Sequence, residues 1–345
     1  MGRPTVRDIA REAGVSLATV DRVLNGRSGV RQKTIGRVQE AIRNLGYVRD
    51  THAANLARQR EYRFCFVLPE GADQFVETVR SALLNVRRGQ LFDRMVLRTL
   101  DVPAQDAHGI VRALDALEPG SFDGIALMVP ETPQVRDSVA RIRRAGVPVV
   151  AFVSDLPGSA RDHFVGINGV AAGRTAGFLI GRFAGESRGQ IIVVSNSLQS
   201  HASIDRRLGF DAIIREEFSG LRPLPTLETH NDPERTEQTL ARAIDAYPGI
   251  IGVYSMVGGD KSVLEALRRF GRLKDLIVIV HELTPAARSA LIDREVDAVI
   301  NQNVGHLVRS SLRVLRALVD GAPIYMDQER PRIEIVTREN IPDEG

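Results

Sequence analysis

Up to about residue 50 the apolar positions recur at helical spacing and no strand-like run interrupts them: Val6, Ile9, Ala10 and Ala13, then Val20, Val23 and Leu24, then Ile35, Val38, Ile42 and Leu45. Residues three and four apart share one face of a helix, so this pattern predicts three short helices. From residue 64 the pattern changes. Apolar, β-branched runs such as FCFVLP, MVLRTLDV, FDGIALMVP, PVVAFVSD, GQIIVVSNS, LPTLETH, IIGVYSMV and LIVIVHE alternate with amphipathic stretches such as FVETVRSALLNVRR, TPQVRDSVARIRRAG and DPERTEQTLARAIDAY. Strand then helix, repeated about eight times, predicts parallel sheets with right-handed crossovers. Some 280 residues of this kind exceed one comfortable open sheet, which points to two α/β lobes. Between the two patterns RDTHAANLARQREYR is polar, lacks an apolar period and reads as a conditionally ordered linker.

Composition sharpens this division. The 345 residues are 43% hydrophobic, enough for real cores. The single cysteine, Cys65, offers neither an internal disulfide nor a thiolate cluster for zinc. MGRPTVRDIAREAGV contains no apolar signal core and no 18 apolar residues run together, so neither secretion nor membrane insertion is expected and a cytoplasmic address follows. Residues 1–63 hold 13 Lys and Arg against six Asp and Glu, while the remaining 282 hold 33 against 37. A basic head on a slightly acidic body is the footprint of a nucleic-acid module joined to something else, although a solvated helical surface carries the same charge.

Signals of catalysis are weak. GGDKS lacks the full phosphate-loop spacing, His281-Glu282 is not followed by the second histidine of a zinc motif because Pro285 stands there, and GINGVAAG matches a dinucleotide fingerprint only loosely. No G-x-S-x-G elbow occurs and the seven histidines show no ligand spacing. No enzyme activity, cofactor or metal is expected.

Within the head, Thr5 can cap the first helix with Asp8 returning the bond, Gly14 suits a left-handed stop, and Ser16 can cap a second helix after a tight turn. A third helix runs from about Lys33 to Leu45 and ends at Gly46. This is a helix-turn-helix layout, although the spacing alone also fits a plain three-helix bundle. The string TVRDIAREAGVSLATVDRVLNG followed by VRQKTIGRVQEAIRNLGYV closely resembles the DNA-binding head of the LacI/GalR family of bacterial transcription regulators, through essentially all of residues 4–48. The resemblance implies that Leu17, Ala18 and Arg22 read bases, Arg22 having the fork that suits guanine. It places Thr5, Ser16, Thr19, Asn25 and Thr34 at phosphate contacts or caps. Asp21 departs from the serine usual in the family; either it accepts from a cytosine amine or it holds Arg22. In AANLARQ, Ala53 and Leu56 correspond to the family's hinge helix, whose paired leucines wedge into the minor groove.

The body from residue 64 to about 340 resembles type I periplasmic sugar-binding proteins, with local agreement in VGINGVAAGRTAG, RRLGF and INQNVGHLVRSSLRVL. Ligands of open α/β sheets sit beyond the carboxyl ends of strands, which nominates Glu70, Asp73 and Phe75 after the first strand, Pro130 and Glu131 after the third and Asp155 after the fourth. The second lobe adds Ser197, Arg206, Tyr254, Glu282 and Gln302. By resemblance Arg206 in R-x-x-G-F matches the family's effector-binding arginine, Glu282 replaces its usual aspartate and Gln302 matches a late glutamine. Phe75 or Tyr254 would cover an apolar sugar face. Asn168-Gly169 and Gly259-Asp260 depart from the pattern, so the sugar contacts of relatives do not all transfer.

The expected architecture is therefore an all-α helix-turn-helix head over residues 1–50, a hinge over 51–62 and a two-lobe α/β clamp with parallel sheets over 63–345. The expected function is sequence-specific DNA binding as a homodimer, as a repressor controlled by a sugar, polyol or sugar acid. A cytoplasmic small-molecule binding protein, or a nucleotide-dependent enzyme with a vestigial head, remains the alternative.

Overall fold

Two units divide the chain, Met1–Arg60 and Glu61–Gly345. The computed structural model describes residues 4–24, 28–47, 60–71, 73–88, 94–118, 120–258 and 261–343. In the first unit α1 (Val6–Ala13), α2 (Leu17–Leu24) and α3 (Gln32–Leu45) enclose a small core of Ile9, Ala10, Ala13, Val20, Val38 and Ala41. These are the periodic positions of the sequence, and their burial holds together helices too short to persist alone. Thr5 and Asp8 form the expected capping box, and Gly14 ends α1 with φ 60°. The Arg37 guanidinium, reaching from α3, donates to the carbonyls of Ala13 and Gly14, a cation placed on the free carbonyls of a helix end.

The second unit holds two sheets. The first has strand order β2-β1-β3-β4-β5, from Met95–Val102, Tyr62–Pro69, Gly124–Leu127, Val149–Phe152 and His163–Val165, all parallel. The second has order β11-β10-β9-β8-β6-β7, from Ile333–Val336, Ala298–Gln302, Ile277–His281, Ile250–Gly258, Gly189–Ser195 and Leu221–Glu228. Only β11 runs antiparallel within it. Both sheets are covered on both faces, which is why their strands read as continuous apolar runs. Phe64, Phe66 and Leu68 enter one core layer and Cys65 and Val67 the opposite one; Ile192 and Val194 are divided in the same way from Ile191 and Val193.

The chain changes lobe more than once. It leaves the first sheet between Val165 and α7 (Gly169–Ala184), whose residues join the second lobe's core. It returns after β10, because α12 (Val304–Asp320) buries Leu307, Val308, Leu312 and Leu315 against Phe64 and Phe66. The final passage, between Glu329 and Ile333, delivers β11 to the second sheet.

The lobes share a plan. The Asp162 amide donates to the Val149 carbonyl while its carboxylate accepts from the Val149 amide at 2.8 Å, and Asp297 does the same with Val278, also at 2.8 Å. Six residues on, Asn168 and Asn303 cap the helices that follow the crossovers, accepting from Ala171 and His306 amides at 2.9 Å. Beyond β4 and β9 stand Val153 and Glu282, both left-handed at φ 66° and 62°. Each donates its amide to the adjoining strand, to Val165 and Ile300. The carboxyl ends of the two sheets thereby meet over one cleft.

Candidate functional site

On the head, the Ser16 hydroxyl accepts from the Thr19 amide at 3.2 Å and lies 2.9 Å from the Thr19 hydroxyl, so both side chains organise the first turn of α2. Leu17 is 47% exposed, and Ala18, Asp21 and Arg22 are exposed beside it. Positions i, i+1, i+4 and i+5 occupy one side of a helix, which leaves this group available to a groove. The Thr5 amide and hydroxyl donate to Asp8 at 2.8 and 2.7 Å, and those bonds hold the Asp8 carboxyl below its ordinary range. Thr34 is half-buried in the first turn of α3. Asn25, Ala53, Leu56 and the segment 51–59 lie outside the described residues.

In the second unit a cavity of about 190 Å³ opens between the strand ends of the two lobes. From the first lobe Glu70, Asp73, Phe75 and Pro130 line it; from the second, Ser197, Arg206 and Glu282. Phe75 is 6% exposed and gives an apolar wall. Asp73 accepts from the Phe75 and Val76 amides at 2.8 and 3.3 Å, and burial raises its pKa against the pull of those bonds.

The polar centre is built around Arg206 on α8 (His201–Glu217). Its Nη1 donates to the Met256 carbonyl at 2.8 Å, and its Nη2 lies 3.4 Å from Glu282 Oε1. The Met256 carbonyl is presented where the pairing of β8 with β9 slips between Ser255 and Gly258. Gln302 Nε2 donates to the same Glu282 oxygen at 2.7 Å. Full burial outweighs the Arg206 charge and pushes the Glu282 carboxyl up to about 7. Three buried atoms of cavity-lining residues have no hydrogen-bond partner among the described residues: Arg206 Nε, Glu282 Oε2 and Asn196 Oδ1. One donor seeks an acceptor and two acceptors are open, which is what hydroxyl groups satisfy in both directions.

Helix packing fixes Arg206. A Cβ on Gly173 of α7 would lie 1.9 Å from the Arg206 carbonyl oxygen, and one on Gly209 would lie 2.0 Å from that of Val170. The two helices therefore touch backbone to backbone beneath the site.

Not every nominated residue reaches the cavity. Tyr254 is fully buried, stacks on Phe210 at 4.6 Å between centroids and shares a hydrogen bond of 2.8 Å between its hydroxyl and His281 Nε2; it is core, and burial raises its pKa. The covering role expected of it is thus corrected. Gln302 acts through Glu282 rather than lining the space. Glu131 lies against Gly158 and Arg136, outside the cavity. Asp155 is paired with Arg161, at 2.7 Å from Nη2, and lines a separate hollow of about 360 Å³ beside the lobe crossovers. Conversely Gln105, Asn196, Ser203 and Asn231 line the cavity without having been nominated. Gln105, Asn196 and Asn231 follow β2, β6 and β7, so the strand-end rule applied evenly would have found them; Ser203, on α8, carried no such signal.

Comparison with known proteins places the chain among binding and regulatory folds. The model described as periplasmic binding protein domain matches residues 96–323, and that of bacterial regulatory proteins, lacI family, matches residues 5–50. The HTH-type transcriptional regulator GntR of Pseudomonas aeruginosa is 28% identical over 176 residues, covering 51% of this chain and 49% of that protein. Matching stretches thus span about half or less of the curated relatives' length. Among solved structures, GanP, a glucose-galactose binding protein from Geobacillus stearothermophilus, superposes with a TM-score of 0.72 at 18% identity, covering 82% of this chain and 99% of that one. A putative LacI transcriptional regulator from Bacteroides fragilis gives 0.68 at 17%, covering 81% and 98%. At such identities the likeness is one of fold.

Proposed function

The chain belongs to the periplasmic binding protein domain family and carries a lacI-family regulatory domain over residues 5–50, and on that premise we propose that it is a cytoplasmic transcriptional repressor whose hold on operator DNA is set by a neutral monosaccharide or polyol. The observation that carries the reading is the open hydrogen-bonding set of Arg206 Nε, Glu282 Oε2 and Asn196 Oδ1 around an interlobe cavity. Glu70, Asp73 and Glu282 stand against a single guanidinium there, which supports a neutral ligand over a sugar acid. A volume of about 190 Å³ is below the roughly 300–1,000 Å³ of drug-sized sites and suits one sugar ring.

The head reads one half-site, so a homodimer on a near-palindromic operator completes the assembly. An effector that prefers one lobe arrangement then changes operator affinity, and the operator changes effector affinity by the same factor. The test selects duplexes from a random pool with the full chain. Operator binding is then followed by fluorescence anisotropy against neutral sugars, polyols and sugar acids. One neutral compound should shift the affinity several-fold, and Arg206→Ala should lose that response while keeping effector-free affinity. A response confined to sugar acids, or a pool that yields no enriched duplex, contradicts the reading.

A further inference from the structure

Edge strands β2 and β7 lie on the side of their sheets opposite the crossovers that join the lobes. Gln105 follows β2; His230 and Asn231 follow β7. His230 Nδ1 lies 3.1 Å from Gln105 Oε1, and the Asn231 side chain lies close enough to the Asp73 carboxyl to lower its pKa against the effect of burial. One hydrogen bond and one polar approach therefore cross the cleft at its mouth, from adjacent residues of one lobe to two elements of the other.

The corner that makes them is unusual in its backbone. His230 and Asn231 are both left-handed, at φ 55° and 57°. Successive non-glycine residues in that region are strained and persist only where their surroundings over-determine them. Here they are over-determined: the Thr229 and His230 amides donate to Ser195 and Asn196, and Asp232 caps the next helix through the Arg235 amide. The corner is therefore a rigid part of its lobe.

Position gives these contacts leverage. With strands about 4.8 Å apart, β2 lies roughly 19 Å from β5, so a lobe rotation of roughly 10° about the crossovers moves the mouth by about 3 Å. That breaks a hydrogen bond at the mouth while barely disturbing contacts near the crossovers. We propose that the His230–Asn231 corner is a latch that holds the clamp shut at its mouth and gates effector entry and exit. Asp73 and Asn231 also line the cavity, so a ligand seated there lies directly behind the closure.

The test needs no effector, so its failure is separate from that of the proposed ligand class. Spin labels on Thr99→Cys of β2 and Gln238→Cys of the helix after β7, both exposed positions, report the lobe separation in the full chain while buried Cys65 stays unlabelled. The variant Gln105→Ala with Asn231→Gly removes both contacts, and glycine takes the left-handed corner without strain. Losing the hydrogen bond and the polar approach should raise the open population at least about fivefold, seen as a longer component in the distance distribution. Gln105→Ala alone, on the surface, should give a smaller shift in the same direction, and Gln105→Glu, which keeps an acceptor for the imidazole, should give less than the alanine. Distributions unchanged from the parent in the double variant would overturn the proposal, as would equal shifts from Gln105→Ala and Gln105→Glu.

Discussion

Arg206 is held through one guanidinium that the proposed function also makes a recognition group: Nη1 secures the Met256 carbonyl, Nη2 meets Glu282, and Nε has no partner among the described residues. The carboxyl it faces is a titrating group. Because burial raises Glu282 from 4.5 to about 7, the folded protein holds that proton more tightly than the unfolded chain. Its contribution to stability is complete below about pH 4.5 and is lost as pH rises through 7. The melting temperature of the parent minus that of Glu282→Gln should therefore fall between pH 5 and pH 8; a difference that is flat or rises contradicts the assignment. On the head, Arg22→Ala should cost about 1–3 kcal/mol of operator affinity and relax preference at one base of each half-site. Uniform weakening across operator variants would make Arg22 a phosphate contact. Arg206 and Glu282 were legible because they follow strands or match a motif. Tyr254 misled because it sits inside β8, before the slip at Met256 and Val257, and points toward Phe210 rather than the strand end.

Among elements, the packing of α7 on α8 decides where Arg206 stands. Gly173→Ala places a methyl 1.9 Å from the Arg206 carbonyl oxygen, and backbone must move. Overpacking of this kind costs about 1–3 kcal/mol. Denaturant unfolding should show that loss in the second unit, and calorimetry should show effector binding weakened at least tenfold, with DNA binding retained in the absence of effector. Parent-like binding would mean that the helix contact does not position the site. Helix starts were the easiest elements to read. Thr132-Pro133, Asp232-Pro233 and Thr284-Pro285 each join a capping side chain to a proline in the first turn. Lobe membership was not legible. The periodicity of α12 says that one face is buried, but not that it returns to the first lobe against Phe64 and Phe66. Nor does a four-residue run such as IEIV reveal that β11 pairs antiparallel.

For the whole molecule, the distribution of charge and the repeated lobe plan carry the functional account. The excess of positive charge lies in the first 63 residues, where the proposed reading calls for contact with a phosphate backbone, while the body is slightly acidic. The paired Asp162 and Asp297, Asn168 and Asn303 are duplicated devices that bring two sets of strand ends to one cleft. Sequence patterning disclosed two lobes but not their correspondence, because it resides in single aspartates bonded through amide and carboxylate rather than in repeated strings. On the proposed function, what joins body to head is linkage, and linkage has a quantitative signature. The decisive measurement is effector affinity by calorimetry on the full chain, free and saturated with its selected duplex, beside duplex affinity with and without effector. The two ratios should be equal and differ from one by at least fivefold; an effector that binds with the same affinity whether or not DNA is present would contradict the account.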